Sequence, residues 1–219
     1  MKTIDLAAQR HKMVKRQIAG RGVRDPLVLA AMRSVPREMF LPEDMRKFAY
    51  EDRPLPIAAN QTISQPYTLA FMIESLSLKG GENVLEIGAG SGYAAAVLAE
   101  IANEVFTVER VAELATKARE SLHSLNYLNV HVLHGDGTLG WPQCAPFDAI
   151  LVAAAGPHVP ETLKSQLKVG GRMVVPVGSS AYDQKLVRVT RLSETHYKSE
   201  NIGDVQFVPL IGEEGWCAI

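Results

Sequence analysis

The chain has 219 residues, a formal net charge of −1 and 47% hydrophobic residues, which suits one globular unit with a sizeable core. The balanced charge gives no reason to expect a surface that wraps nucleic acid, and no apolar run has the length of a transmembrane segment. The two cysteines make no disulfide framework and have no metal ligand at a usual spacing. We therefore expect a cytoplasmic protein without a bound metal, membrane or nucleic acid.

Helical patterns open the chain. Residues 3–19 place apolar side chains on one side of a helix, with Thr3 or Asp5 as its cap. Asp25 followed by Pro26 predicts an N-cap and the first residue of a second helix, which ends near residue 34.

Two short extended segments, 55–57 and 61–63, precede a predicted helix over 66–76. Nearly 80 residues thus come before the first core strand, which is too long for a linker. We expect residues 1–78 to form a helical cover over a ligand site and residues 79–219 to form the core, the two making one compact unit.

Strands and helices alternate in the core. Strands are predicted at 84–87, 105–108, 130–133, 147–153 and 171–177, and helices at 91–102, 111–125 and 160–167. This alternation predicts an α/β fold with a parallel sheet and helices on both faces. The tail adds two strand candidates, 184–192 and 205–210, as an antiparallel pair joined by the polar stretch 193–203.

A glycine turn follows the first core strand. Gly88, Gly90 and Gly92 alternate with other residues between an apolar run and an Ala-rich helix. Glycine lets a ligand approach the main chain, and ligands of open α/β sheets bind at the carboxyl ends of strands. The spacing departs from the dinucleotide pattern Gly-x-Gly-x-x-Gly. It suits S-adenosylmethionine (SAM), which has no pyrophosphate.

Two carboxylates follow the next strands. Glu109 lies 21 residues after Gly88, a spacing typical of an acidic residue that accepts hydrogen bonds from a ribose diol. The alternative is a solvated residue that caps the next helix. Asp136, between Gly135 and Gly137, is placed to accept from an adenine amino group, or else is a turn aspartate. Three landmarks at one sheet edge favour the cofactor.

The residues that follow the fourth predicted strand, 153–155, are small. They either make room for a substrate next to the cofactor or allow a helix to pack closely against the strand. His131 and His134 have no third ligand at a recognisable spacing, so no metal site is predicted.

Longer stretches carry a family resemblance. They are 21–25, 35–38, 49–52 with 54–57, 60–67, 84–93, 107–110, 135–137 with 140–142, and 207–210. In these the chain resembles the protein-L-isoaspartate (D-aspartate) O-methyltransferase family over nearly its whole length. The glycine loop fits many methyltransferases, whereas Gln61-Thr62-Ile63-Ser64-Gln65-Pro66-Tyr67 is much more specific.

The resemblance implies a Rossmann-like class I SAM-dependent methyltransferase with a mostly parallel seven-stranded sheet. It places Ser64 at the catalytic position, whereas the residues alone favour Ser64 as a helix cap before Pro66. The implied substrate residues are Ala59, Asn60, Thr62, Ile63 and Ala154, and the implied cofactor residues are Glu86, Gly88, Gly90, Gly92, Glu109, Asp136 and Gly137. The chain departs from the family at Ala58 or Ala59, where glycine is usual, and at Ala89, where threonine is common.

The implied reaction moves a methyl group from SAM to the free carboxylate of L-isoaspartyl and D-aspartyl residues in damaged proteins, which initiates their repair. A carboxyl group ionises near pH ~4, so positioning rather than a strong base is expected to drive the step. We expect a monomer that acts on damaged proteins or peptides. The alternatives are a SAM-dependent methyltransferase of another acceptor and a non-catalytic SAM-binding module of a longer protein.

Overall fold

The computed structural model describes residues 5–180 and 182–217. The α-helices are α1 (Leu6–Met13), α2 (Pro26–Ser34), α3 (Pro66–Leu76), α4 (Tyr93–Ala99), α5 (Ala112–Ser124) and α6 (Glu161–Ser165). The strands are β1 (Leu55–Pro56), β2 (Thr62–Ile63), β3 (Asn83–Ile87), β4 (Glu104–Glu109), β5 (Val130–His134), β6 (Phe147–Val152), β7 (Leu167–Ser180), β8 (Asp183–Arg191) and β9 (Tyr197–Val205).

A seven-stranded sheet has the order β5-β4-β3-β6-β7-β8-β9. Its first five strands pair in parallel, and β8 and β9 add antiparallel pairs at one edge. Successive side chains of a strand point to opposite faces, and Val84 and Leu85 of β3 accordingly belong to different core clusters. The prediction of a mostly parallel seven-stranded sheet is confirmed.

The prediction for the last strand is wrong. β9 covers Tyr197–Val205 and so overlaps much of the stretch 193–203, which the sequence predicts to be a polar link, whereas residues 206–210 lie outside the sheet. β9 pairs with β8 on one side only, and most of its side chains are at least partly solvent-exposed, which suits a polar sequence. Beyond it, the Gln184 side chain holds the chain by accepting from the Phe207 N–H at 2.7 Å and donating to its carbonyl at 3.1 Å.

The N-terminal region begins as predicted. Asp5 caps α1 by accepting from the Ala8 N–H at 2.9 Å, whereas Thr3 lies outside the described residues. The helix then continues as a π-helical segment over Val14–Ile18 and a 3₁₀ turn over Ala19–Arg21. Asp25 caps α2 through the Leu27 and Val28 N–H groups, as predicted.

The segment 55–63 is a small hairpin. β1 and β2 pair antiparallel, with Leu55 opposite Ile63, and a 3₁₀ turn joins them. α3 follows over the range that the sequence predicts. The extended segments and this helix are therefore confirmed.

Apolar residues of the N-terminal region, such as Met32 and Ile73, join the same core cluster as Ala95 of α4. Arg37 is fully buried beside them, where its Nε donates to the Ala49 carbonyl at 2.9 Å and its guanidinium lies 4.9 Å from the centre of the Tyr93 ring. Burial lowers the pKa of Arg37 to about 10. Across the described ranges, no helix is long and apolar enough to cross a membrane.

Candidate active site

A cavity opens where β3 and β4 end. Its walls come from the glycine loop, the segment after β2, the end of β6 and the chain after β9. The lining residues include Thr62, Ile63, Ser64, Gly88, Gly90, Tyr93, Glu109, Gly137, Ala154, Leu210 and Ile211. The structure thus brings the predicted catalytic serine to the same cavity as most of the predicted cofactor residues.

The glycine loop turns through left-handed backbone. Gly90 has φ +54° and Gly92 has φ +88°, and a Cβ on Gly92 would lie 3.2 Å from the Leu122 side chain. Gly92 lies on the side of the loop that packs against α5 and does not line the cavity. The glycine at this position therefore serves both the backbone conformation and the packing against α5.

Glu109 is nearly buried and its carboxylate is fixed by the main chain. One oxygen accepts from the Gly90 N–H at 2.9 Å, and the other accepts from the Val111 N–H at 2.8 Å. Each carboxylate oxygen has a second lone pair, so the group can still accept from two hydroxyls of a ribose. Its position supports the ribose interpretation, which stays a prediction.

Glu86 lies under the loop and not in the cavity wall. It is fully buried, and the Thr107 hydroxyl donates to its Oε2 at 2.6 Å, whereas Oε1 has no partner among the described residues. Burial raises the pKa of Glu86 to about 8, the nearby Glu109 charge adds to the rise, and the Thr107 hydrogen bond opposes it. The group is therefore a largely protonated carboxylic acid at neutral pH.

Asp136 faces protein donors. Its Oδ1 accepts from the Thr138 N–H at 2.8 Å and from the Thr138 hydroxyl at 2.7 Å, and its Oδ2 accepts from the Glu213 N–H at 2.8 Å. Gly137 lines the cavity and Asp136 does not. The adenine contact predicted for Asp136 stays a prediction that uses its remaining lone pairs.

The hairpin forms another side of the cavity, where the substrate residues are predicted. Thr62, Ile63 and Ser64 line the cavity, whereas Ala59 and Asn60 form the exposed turn and do not. Both turn residues have φ +55°. An alanine rarely adopts this backbone, so the departure from glycine at Ala59 carries local strain.

One wall of the cavity, formed by residues 208–211, is not predicted from the sequence. Leu210 donates its N–H to the Ala155 carbonyl at 2.8 Å, and the Trp216 indole donates to the same oxygen at 3.0 Å. Trp216 also donates its own N–H to the Leu210 carbonyl at 2.8 Å. The family resemblance of residues 207–210 points to a role for this segment, but its assignment to a strand of the sheet does not place it in the cavity wall.

Comparison with known proteins decides the family. The family model for protein-L-isoaspartate(D-aspartate) O-methyltransferase matches residues 8–215. The chain is 63% identical over 213 residues to protein-L-isoaspartate O-methyltransferase 1 of Rhodopseudomonas palustris strain HaA2, covering 97% of this chain and 87% of the relative. The chain belongs to the protein-L-isoaspartate(D-aspartate) O-methyltransferase family.

Other members agree. Protein-L-isoaspartate O-methyltransferase 2 of Pelobacter propionicus is 58% identical over 208 residues, which cover 95% of this chain and 92% of that one. A solved protein-L-isoaspartate O-methyltransferase has a TM-score of 0.84 at 30% identity, over 94% of this chain and 67% of that one. A Plasmodium falciparum structure in complex with S-adenosyl-L-homocysteine has a TM-score of 0.81 at 26% identity, over 92% and 98% of the two chains. The predicted family and class I methyltransferase fold are confirmed.

Proposed function

We propose that this methyltransferase repairs damaged proteins by moving the methyl group of SAM to the free carboxylate of L-isoaspartyl and D-aspartyl residues. Family membership supports the activity and the cofactor. The single observation that carries the residue assignment is that Ser64 and Glu109 line one cavity. One side of this cavity is suited to a nucleoside and the other to an acceptor.

The cofactor occupies the sheet edge in this proposal. Glu109 binds the ribose hydroxyls, and Gly88 and Gly90 allow the cofactor to approach the main chain. Gly137 lines the cavity at the adenine end, and only glycine fits there, because a Cβ would lie 2.5 Å from the Ile87 side chain. When bound, SAM supplies an electrophilic methyl group on a sulfonium.

The acceptor carboxylate is already ionised at neutral pH, since its pKa is near ~4. Its oxygen attacks the methyl carbon in line with the carbon–sulfur bond. The new carbon–oxygen bond forms as the old bond breaks, and the electron pair goes to sulfur. No proton moves, so Ser64 acts by donating a hydrogen bond that orients the carboxylate. Complete placement of the carboxylate against the methyl group is worth roughly 7–11 kcal/mol, and the hydrogen bond from Ser64 supplies only a part of it.

The methyl ester then activates the carbonyl for attack by the neighbouring backbone nitrogen. Loss of methanol closes a succinimide, which water reopens partly to normal aspartate. The repair outcome therefore follows from the ester alone and asks nothing more of the protein.

The substrate is an extended peptide segment. The hairpin 55–63 lies beside the cavity and contains only two short strands, so its main chain is available to bind a peptide in the manner of strand addition. Residues 1–78 act as the acceptor cover and residues 79–219 as the methyltransferase core. We further propose that the enzyme acts as a monomer in the cytoplasm, with no nucleic-acid or membrane partner.

The test is a Ser64→Ala variant with an L-isoaspartyl peptide and labelled SAM. We expect kcat to fall about 10- to 100-fold, the cost of a misplaced reactant, with the Kd for SAM within about twofold of the wild type, because Glu109 and the glycine loop remain. Ser75→Ala is the matched control, since its hydroxyl donates to the Phe71 carbonyl within α3. A large loss of SAM affinity in Ser64→Ala would place Ser64 in the cofactor site instead.

A further inference from the structure

The helix that follows Ser64 lacks a cap of its own. α3 begins at Pro66, and the side chain of the preceding Gln65 caps no backbone N–H of the first turn, since its Oε1 accepts from the Thr68 hydroxyl at 2.8 Å instead. Proline has no N–H, so Tyr67 carries the first free donor of the helix. Asp52, distant in sequence, supplies the acceptor: its Oδ1 lies 3.2 Å from the Tyr67 nitrogen.

Asp52 also holds the residue next to Ser64. The Gln65 Nε2 donates to the Asp52 carbonyl at 2.9 Å. On the other side of Ser64, Ile63 is paired with Leu55 in the hairpin. The backbone is thus fixed on both sides of the serine, by strand pairing before it and by Asp52 after it.

Arg21 orients this anchor. Its Nη1 donates to the Asp52 Oδ2 at 2.7 Å, and the Asp52 side chain is only 18% exposed. The Arg21 guanidinium carbon lies 3.6 Å from the centre of the Tyr67 ring, which in turn stacks on Phe71. The cation therefore binds both the carboxylate that caps the helix and the side chain of the residue that is capped.

We propose that Asp52 is a positioning residue for methyl transfer, because it supplies the missing N-cap of α3 and thereby fixes Ser64 in the cavity. A carboxylate at a helix N-terminus is favourable both as an acceptor and against the helix dipole. The inference rests on the proposed role of Ser64. SAM is held by other elements, so loss of the anchor changes the rate and not the affinity for the cofactor.

The test compares Asp52→Ala and Asp52→Asn in the full chain, using an L-isoaspartyl peptide. Asp52→Ala should lower kcat on the order of 10-fold, with the Kd for SAM within about twofold of the wild type. Asp52→Asn should keep roughly half of kcat or more, because its amide oxygen still accepts from the Tyr67 N–H. The control is Glu51→Ala: this exposed neighbour pairs with Arg53 and should leave kcat unchanged.

Combination with Ser64→Ala separates positioning from a general loss of structure. If Asp52 acts through Ser64, adding Asp52→Ala to that variant has little further effect on kcat. A second full loss overturns the inference, as does wild-type kcat in Asp52→Ala alone. If Asp52→Ala does not fold, Arg21→Met, which keeps the carboxylate but removes its partner, takes its place with a smaller expected loss of kcat.

The wild type in the same assay tests the proposed function separately. Absence of any labelling there contradicts the function. Wild-type labelling with an unchanged Asp52→Ala variant contradicts only the inference about Asp52.

Discussion

The two sides of the cavity, which we propose to hold the cofactor and the acceptor and call the cofactor side and the acceptor side, are built in different ways. The cofactor side consists of main chain at the ends of buried parallel strands, and Glu109 ties the loop after β3 to the segment after β4. The acceptor side consists of two-residue strands and a turn in left-handed backbone, attached through the Asp52 side chain. Substitutions on the first side should therefore change SAM affinity, and those on the second should change the rate of methyl transfer.

The largest expected effect on the cofactor side is that of Glu109→Ala. The two hydrogen bonds that the ribose hydroxyls of SAM are proposed to donate to the carboxylate are lost, each worth about 1.5–3 kcal/mol. The Kd for SAM should therefore rise about 100-fold or more. Titration calorimetry measures it. Glu104→Ala, at the opposite end of β4 and paired with the exposed His131, is the control and should leave the Kd unchanged. An unchanged Kd in Glu109→Ala would remove Glu109 from the cofactor site.

A pH-dependent effect is expected from Glu86 beneath the glycine loop. Its pKa is about 8 in the folded chain against an ordinary 4.5, so the unfolded state loses this proton first. The contribution of the Glu86 protonation to the free energy of unfolding is therefore fully present below about pH 4.5 and is lost as the pH rises through about pH 8. Across this pH window the free energy of unfolding should fall by about 3 kcal/mol less in Glu86→Gln than in the wild type. Each pKa unit corresponds to about 1.4 kcal/mol, and the full product of shift and unit is reduced because the protein relaxes around a buried charge.

Urea unfolding below, within and above this pH window measures the effect of Glu86→Gln. The readout is the slope with pH and not the absolute stability, because the new amide changes the buried hydrogen bonding. Glu104→Gln is the exposed control. Equal slopes for Glu86→Gln and the wild type would show that Glu86 is ionised in the folded chain.

A steric effect is expected at the adenine end. The methyl group of Gly137→Ala would lie 2.5 Å from Ile87 Cγ2, so β3 or the turn must shift. Overpacking of this kind costs about 1–3 kcal/mol, and we expect both the Tm and the SAM affinity to fall. Gly135→Ala is the matched control, because its Cβ would meet only the Leu133 side chain at 3.9 Å. Similar losses in both variants would argue against a close fit at Gly137.

The smallest expected effect is on the acceptor turn. Ala59→Gly relieves an alanine at φ +55° and should stabilise the chain by at most about 1 kcal/mol, because glycine has more entropy to lose on folding. Ala58 does not have a positive φ, so Ala58→Gly should destabilise by a similar amount. Thermal unfolding distinguishes them: equal shifts of Tm in the two variants would mean that the turn carries no strain.

The two sides also differ in how well the sequence predicts them. The cofactor side follows from spacing, because an apolar run, alternating glycines and an acid after the next strand place Gly88 and Glu109 at one sheet edge. The acceptor side was found through the family segment that contains Ser64. Local pattern alone reads Ser64 as a helix cap, and nothing in it shows that Asp52 caps the same helix.

Long-range contacts explain why the last strand and the wall formed by residues 208–211 could not be predicted from the sequence. The edge strand β9 is formed by its pairing with β8. Its sequence is polar, so a search for apolar runs does not predict it. Residues 206–210 look like a strand because they are apolar, yet they pack over the exit of β6 and close the cavity. Their hydrogen bonds with Ala155 and Trp216 join distant segments, which no local pattern records.

The central claim is most directly tested by methyl transfer from labelled SAM to two matched peptides, one with L-isoaspartate and one with normal aspartate at the same position. The account predicts a base-labile label in the isoaspartyl peptide alone, since only that peptide places a free α-carboxylate on the side branch of the backbone. Equal labelling of both peptides, or SAM binding without labelling of either, would contradict it.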